Sequence, residues 1–149
     1  MNPSRMTERG VKFNSFEYAV LHHYRLRSNK ISKADKSLAF ANIEPCYTEN
    51  VFGILYDLSS DNITELDKKE GYPLHYEKTI VPVLTHSGFK MALTYIATRS
   101  WASRNDNPMS AEYRKLISDG ITHCENLLPK TDVQLLEQFM FYKNNILKK

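Results

Sequence analysis

Glu70 is the residue whose type and position are most suited to chemistry in this sequence. In the short helix predicted to end there, Ile63, Leu66 and Glu70 follow the spacing i, i+3, i+7 and share one face. The carboxylate would then face the core at the negative end of the helix dipole, where acidic side chains are unfavourable. A carboxylate held in such a place can take up and release a proton during catalysis.

The spacing leaves a second interpretation open, in which the carboxylate of Glu70 lies in water. Lys68 and Lys69 precede it and Gly71 follows it, a composition that is common in the last turn of a surface helix. The pattern alone does not choose between a core-facing carboxylate and a solvated one.

The sequence contains no other recognisable catalytic or metal-binding pattern. It has no G-x-S-x-G, no P-loop and no zinc-ligand spacing. Cys46 and Cys124 form no C-x-x-C pair and are predicted to be reduced core thiols. We therefore expect neither a metal nor a cofactor. The histidines form no triad and are predicted to be structural or exposed; they are His22, His23, His75, His86 and His123.

Composition predicts one soluble domain, covering residues 1–149. No apolar run approaches the roughly 20 residues that span a bilayer, and no signal peptide is recognisable, so we expect a cytoplasmic protein with no membrane partner. The net charge is +3, and its densest basic stretch is residues 24–30. Such a stretch is more typical of a solvated strand face than of a nucleic-acid surface, so no nucleic-acid partner is expected. The oligomeric state stays open.

Strand signals dominate the first two-thirds of the chain. Five segments rich in aromatic and β-branched residues predict strands at 16–27, 38–43, 51–58, 76–84 and 90–97. Residues 86–88 are typical of a hairpin loop, which would make the last two strands antiparallel neighbours. Pro82 has no N–H to donate and indicates an edge or a bulge.

Helix signals lie between and after these strands. One helix is predicted at 62–69, with Asn62 as N-cap and Gly71 just after its end. A second is predicted at 111–118, capped by Ser110 and ended by Gly120, and a third follows Pro129. Strands followed by helices, with one visible hairpin, predict an α+β fold.

Several short motifs, taken in order, resemble the γ-glutamylcyclotransferase-like (AIG2-like) family. Residues 51–58 match a strand of type V-x-G-x-x-Y-x-L, and residues 66–71 match L-D-x-x-E-G, followed by Tyr76. Residues 92–95 match A-x-x-Y, and 110–113 match S-x-x-Y. Gly120 and residues 125–129 match a G…E-N-G-L-P ending, with Leu127 where glycine is usual.

The resemblance implies a small, bent, closed and mostly antiparallel β-barrel with flanking helices. It also implies an amine/acyl transferase reaction, in which a small γ-glutamyl amide cyclises to 5-oxoproline and releases an amine. The motif glutamate, Glu70 here, would be the general acid/base, and Tyr76 and Tyr113 would position the substrate. Both tyrosines are equally compatible with ordinary core packing. A catalytically silent ligand-binding or interaction domain of the same fold is the alternative function.

The first residues resemble a family segment that comes after a strand ending in Y-G-S-N. Residues 1–9 match that later segment, of type M-x-x-x-R-M-x-x-R, so the Y-G-S-N strand and loop are expected before Met1. Either the start is assigned too late or the protein is a shortened member of the family, and the first is the preferred expectation. In the family this loop holds the γ-glutamyl group.

Overall fold

A computed structural model describes residues 3–127 of the chain. The predicted helix after Pro129 lies outside these residues. None of the helices in this range is long and apolar enough to cross a membrane. The elements, in chain order, are α1 (Pro3–Glu8), β1 (Ser15–Ile31), β2 (Ala39–Asp57), α2 (Ser60–Glu70), β3 (Tyr76–Thr85), β4 (Gly88–Ala97) and α3 (Ala111–Leu127).

The strands form one antiparallel four-stranded sheet in the order β2-β1-β3-β4. The predicted α+β class and the β3–β4 hairpin are confirmed. The predicted closure of the barrel is not supported, because β2 and β4 are the two edges of the described sheet. Pro82 lies beyond the short ladder between β1 and β3, in a stretch where β3 pairs only with β4, as an edge proline requires.

β1 and β2 form one long bent ribbon, and this corrects the prediction of separate strands at 38–43 and 51–58. The residues between those segments belong to β2, and the ladder with β1 shifts register twice, at His22/Tyr24 and at Arg27/Lys30. His23 has φ 61 at the first of them, a left-handed conformation that is uncommon for a non-glycine residue. Bulges bend strands and raise their twist, so the ribbon can curve without ending.

The core lies on both faces of β1, because neighbouring side chains in a strand point to opposite sides. Tyr18 and Val20 pack with Phe52 of β2 and with Ile121 and Cys124 of α3. On the other face, residues of β3 and β4 complete a second cluster of Ala19, Leu21, Val81, Val83 and Ala92. The cysteine prediction holds for Cys124, which is fully buried, whereas Cys46 is a partly exposed free thiol.

Two buried amides connect β1, β2, β4 and an irregular stretch that we call the cover segment (residues 98–110). Asn42 donates to the Asn29 side chain at 3.0 Å and accepts from the backbone N–H of Ala97 at 2.9 Å. Asn29 donates in turn to the carbonyl of Ser103 at 3.1 Å. Because both amide side chains are buried, losing either one would leave buried polar groups without partners.

The helix ends differ from the predicted ones in two places. α2 begins at Ser60, and its N-cap is Ser59 rather than Asn62; the Ser59 side chain accepts from the Asn62 backbone N–H. α3 does not end at Gly120 but continues to Leu127. The burial of Ile121 and Cys124 one turn later outweighs the modest cost of a glycine inside a helix.

Gly71 ends α2 as predicted, with φ 72, and its backbone N–H contacts the carbonyls of Asp67 and Lys68. An alanine there would adopt a left-handed backbone and place its Cβ 3.1 Å from the His75 ring. We expect Gly71→Ala to lower the free energy of unfolding by about 1–2 kcal/mol, measured by urea denaturation.

Two other glycines provide matched controls. Gly10 also has positive φ but nothing within 4 Å of an added Cβ, so Gly10→Ala isolates the backbone contribution. Gly53 has neither feature, and Gly53→Ala should stay within about 0.5 kcal/mol of the parent. Equal stability of the Gly71 and Gly53 variants would contradict the assigned role of Gly71.

Candidate active site

A cleft of about 960 Å³ is lined by residues from each of the seven described elements. Glu70, Tyr76 and Tyr113 all line it, although they come from α2, β3 and α3. The described structure therefore brings the three sequence-predicted site residues to one cavity. Its lining also contains Arg9, Lys30 and His75, which sequence reasoning did not select.

The Glu70 carboxylate is partly buried and paired with Arg9. The side chain is 21% exposed, and its Oε1 accepts a hydrogen bond from Arg9 Nη2 at 2.7 Å. The predicted face is confirmed, since Ile63 and Leu66 line the same cleft. A solvated side chain beside the two lysines is thereby excluded. Arg9 follows α1 in the segment that resembles M-x-x-x-R-M-x-x-R, so a sequence signal for it was present.

The end of α2 is fixed in place through Asp67, one turn before Glu70. The Tyr95 hydroxyl on β4 donates to Asp67 Oδ1 at 2.6 Å, and Lys78 Nζ on β3 donates to Oδ2 at 2.9 Å. Burial acts to raise the pKa of Asp67, but the hydrogen bonds from Tyr95 and Lys78 outweigh it and hold that pKa below its usual value. Two residues of the family motifs, Asp67 and Tyr95, are therefore in direct contact and set the position of Glu70.

Tyr76 and Tyr113 carry hydroxyls that stay protonated well above neutral pH. Burial is the main cause that raises the pKa of each, and the nearby Glu70 carboxylate adds to it. The Tyr113 hydroxyl accepts a 3.3 Å hydrogen bond from the backbone N–H of Ala41, and its ring packs edge-on against Phe40. Each hydroxyl can therefore donate a hydrogen bond to a ligand in the cleft.

The basic stretch 24–30 is not the solvated strand face that its composition predicts. Arg25 and Arg27 both contact Glu44, and Arg27 also bonds Asp106. Lys30 is only 3% exposed. The cover segment explains the difference, because its backbone bonds to this end of β1 at Ser28, Asn29 and Ile31 and excludes water there.

His75, which is predicted to be structural or exposed, is a half-buried residue at the cleft. Its ring lines the cleft and stacks on Trp101 of the cover segment, with centroids 4.0 Å apart. Burial lowers the pKa of His75, and the charges of Lys30 and Lys33 lower it further, so the ring is neutral near pH 7. Within residues 3–127, no group of three or more acidic, histidine or cysteine side chains is placed to hold a metal ion.

Comparison with known proteins assigns the chain to a family. Residues 50–136 match the model of the AIG2-like family, which is more than half of the 149 residues. The chain belongs to the AIG2-like family. The matched range contains the L-D-x-x-E-G motif with Glu70, and also Tyr76 and Tyr113. No curated protein sequence matches the chain.

Solved structures show that this AIG2-like chain has a γ-glutamyl cyclotransferase-like fold. A γ-glutamyl cyclotransferase superposes with a TM-score of 0.71 at 22% identity, covering 89% of this chain and 79% of that one. An uncharacterised protein from Homo sapiens superposes with a TM-score of 0.64 at 25% identity and the same coverage, 89% and 79%. YkqA from Bacillus subtilis gives a TM-score of 0.63 at 20% identity, covering 92% of this chain and 49% of its own length.

Tyr95→Phe tests whether Asp67 anchors the end of α2. Removal of the hydroxyl should lower the free energy of unfolding by about 1.5–3 kcal/mol near neutral pH, the usual effect of losing a hydrogen bond to a charged group. Because the folded state depresses the pKa of Asp67, this contribution is complete above the unfolded value of about 4. The contribution of the Tyr95 hydrogen bond should disappear as the pH falls through the pKa that Asp67 has in the folded state.

Urea unfolding at several pH values measures this difference. Tyr47→Phe is the matched control, since Tyr47 is 89% exposed and should show no pH-dependent loss. A loss in the Tyr95 variant that stays constant down to the most acidic pH would contradict the assigned contact.

Proposed function

We propose that this AIG2-like protein is a γ-glutamylcyclotransferase-type enzyme that cleaves a γ-glutamyl amide by intramolecular cyclisation. The single observation that carries the proposal is the Glu70 carboxylate, held by Arg9 at the wall of a cleft that Tyr76 and Tyr113 also line. The similarity to a γ-glutamyl cyclotransferase fold supports the choice of reaction.

In this reaction the substrate supplies its own nucleophile. The α-amine attacks the γ-carbonyl carbon, a new C–N bond closes the five-membered ring, and the bond to the leaving amine breaks to give 5-oxoproline. Glu70 accepts the proton that the α-amine loses and returns it to the departing nitrogen. Holding the substrate in the folded conformation makes ring closure a matter of orientation, which can lower a barrier by up to roughly 7–11 kcal/mol.

Arg9 and the two tyrosines have supporting roles in the proposal. The Arg9 guanidinium fixes the orientation of the Glu70 carboxylate through a charge-assisted hydrogen bond. The Tyr76 and Tyr113 hydroxyls, which stay protonated, donate hydrogen bonds that position the substrate. None of these residues forms a covalent intermediate.

The same Arg9–Glu70 contact also favours a second candidate, a catalytically silent ligand-binding domain. Arg9 occupies the carboxylate oxygen Oε1, and a glutamate whose only task is this ion pair would have a structural role. In that case the cleft binds a ligand without cyclising it. The two candidates differ in whether 5-oxoproline is released.

Glu70→Gln tests the reaction directly. Glutamine keeps the size and the hydrogen bond to Arg9 but cannot accept the proton of the α-amine, so turnover should fall by at least about 100-fold. Substrate affinity should change much less. The partly exposed ion pair should contribute no more than about 1 kcal/mol to the free energy of unfolding. Release of 5-oxoproline from a panel of γ-glutamyl amides, together with a thermal melt, measures both effects.

Glu65→Gln is the matched control on the same helix. Glu65 is 51% exposed and paired with Lys68, so its variant should keep full activity. Unchanged turnover in the Glu70 variant would exclude Glu70 as the base. Ligand binding by the parent protein with no 5-oxoproline release would favour the silent binding domain.

A further inference from the structure

Lys30 is a buried cation that the proposed reaction has not yet used. The residue is 3% exposed and lines the same cleft as Glu70. Fully buried lysines are rare unless they are paired, because removing an ammonium group from water is costly. Burial lowers the pKa of Lys30, and the charge of Glu70 partly offsets that effect, so the two groups interact electrostatically across the cleft.

Within the described range, residues 3–127, the surroundings of the Lys30 ammonium contain aromatic rings but no anion in contact with it. Nζ donates to the Ile31 carbonyl at 2.9 Å and lies 4.7 Å, 5.5 Å and 5.7 Å from three ring centroids, those of Trp101, Tyr76 and Phe40. Among residues 3–127, none of the ion pairs includes Lys30, whereas Arg9 in the same cleft is paired with Glu70. The rings favour a cation at this position but satisfy none of its N–H donors.

We propose that Lys30 is a positioning residue that binds the α-carboxylate of the substrate inside the cleft. The proposal rests on the proposed function for the identity of that carboxylate. In a γ-glutamyl compound the α-amine and the α-carboxylate are attached to one carbon atom. Glu70 and Lys30 line the same cavity, and Lys30 has no ion-pair partner among the described residues, so a base and a cation there match the two groups of a single α-amino acid head.

Lys30 would also contribute to the reaction by orienting the substrate. With the carboxylate held by Lys30, the α-amine beside it is directed towards Glu70. The Tyr76 ring lies near the Lys30 ammonium, and the Glu70 charge contributes to the raised pKa of the Tyr76 hydroxyl. Tyr76 is therefore close to both groups. A charge-assisted hydrogen bond in a partly dehydrated site is stronger than one in water.

Two ligands that differ in one group test the proposal. The first is γ-glutamyl ethylamide, whose α-carboxylate is its only anionic group. The second is the same compound with that carboxylate converted to a primary amide. Calorimetric titration of the full chain in the Glu70→Gln background, which should bind the acid without consuming it, should show about 10- to 100-fold tighter binding of the acid than of the amide. Equal affinities would overturn the proposal before Lys30 itself is changed.

Lys30→Met, with Lys30→Gln as a second variant if the first does not fold, removes the charge at the site. Binding of the acid should weaken by about 10- to 100-fold, while binding of the amide should change by less than about threefold. Lys33→Met is the matched control, because Lys33 also lines the cleft but is exposed, and it should preserve the preference for the acid. Equal weakening of both ligands by the Lys30 variant would assign it a structural role and overturn the proposal. Loss of the preference in the Lys33 variant would overturn it as well.

Failure of this proposal can be told apart from failure of the proposed function. Binding of the acid that depends on Lys30, without release of 5-oxoproline, would refute the cyclisation and leave the carboxylate site standing. Release of 5-oxoproline with equal KM values in the parent and the Lys30 variant would leave the cyclisation standing and overturn the carboxylate site.

Discussion

The cover segment, residues 98–110, is the constraint on which the interior of this protein depends most. Its backbone bonds to the end of β1 at Ser28, Asn29 and Ile31, and to the start of β2 at Ala39. These bonds exclude water from a stretch that would otherwise be the end of an exposed ribbon. Polar side chains there must find partners within the protein, because a buried polar group without a partner is costly.

The consequences differ for the two consecutive buried residues at that place. Asn29 finds its partners in Asn42 and in the carbonyl of Ser103, and Asn42 connects onward to the end of β4. In the part of the chain that the structure describes, Lys30 finds one carbonyl and the faces of aromatic rings. One residue thus stabilises the fold, and the other leaves a positive charge facing the cleft.

The hydrogen bonds to Asp67 are a second constraint, and they fix the side of the cleft where Glu70 lies. Asp67 receives hydrogen bonds from β3 and β4, so the last turn of α2 cannot rotate independently of the sheet. Glu70 lies one turn further and is held by a hydrogen bond from Arg9. The glutamate is therefore fixed by elements that are distant in sequence, as a site that depends on orientation requires.

Local sequence determined the features that depend on neighbouring residues. The α+β class, the β3–β4 hairpin, the glycine end of α2 and the face of Glu70 follow from side-chain periodicity and from backbone preferences of single residues. The family motifs also contained Asp67 and Tyr95, although only the structure shows that they touch. Periodicity could not show the continuous β2, because bulges interrupt the alternation that marks a strand.

Only the tertiary structure decided which polar groups are buried from solvent. Lys30 lies in a basic stretch that is typical of a solvated surface, and α3 continues through a glycine that is typical of a helix end. In both cases residues far along the chain contribute to the burial, Trp101 for the lysine and the β1–β2 ribbon for the helix. Solvation depends on what covers a residue, and a covering segment some seventy positions away leaves no signal in the local pattern of residues.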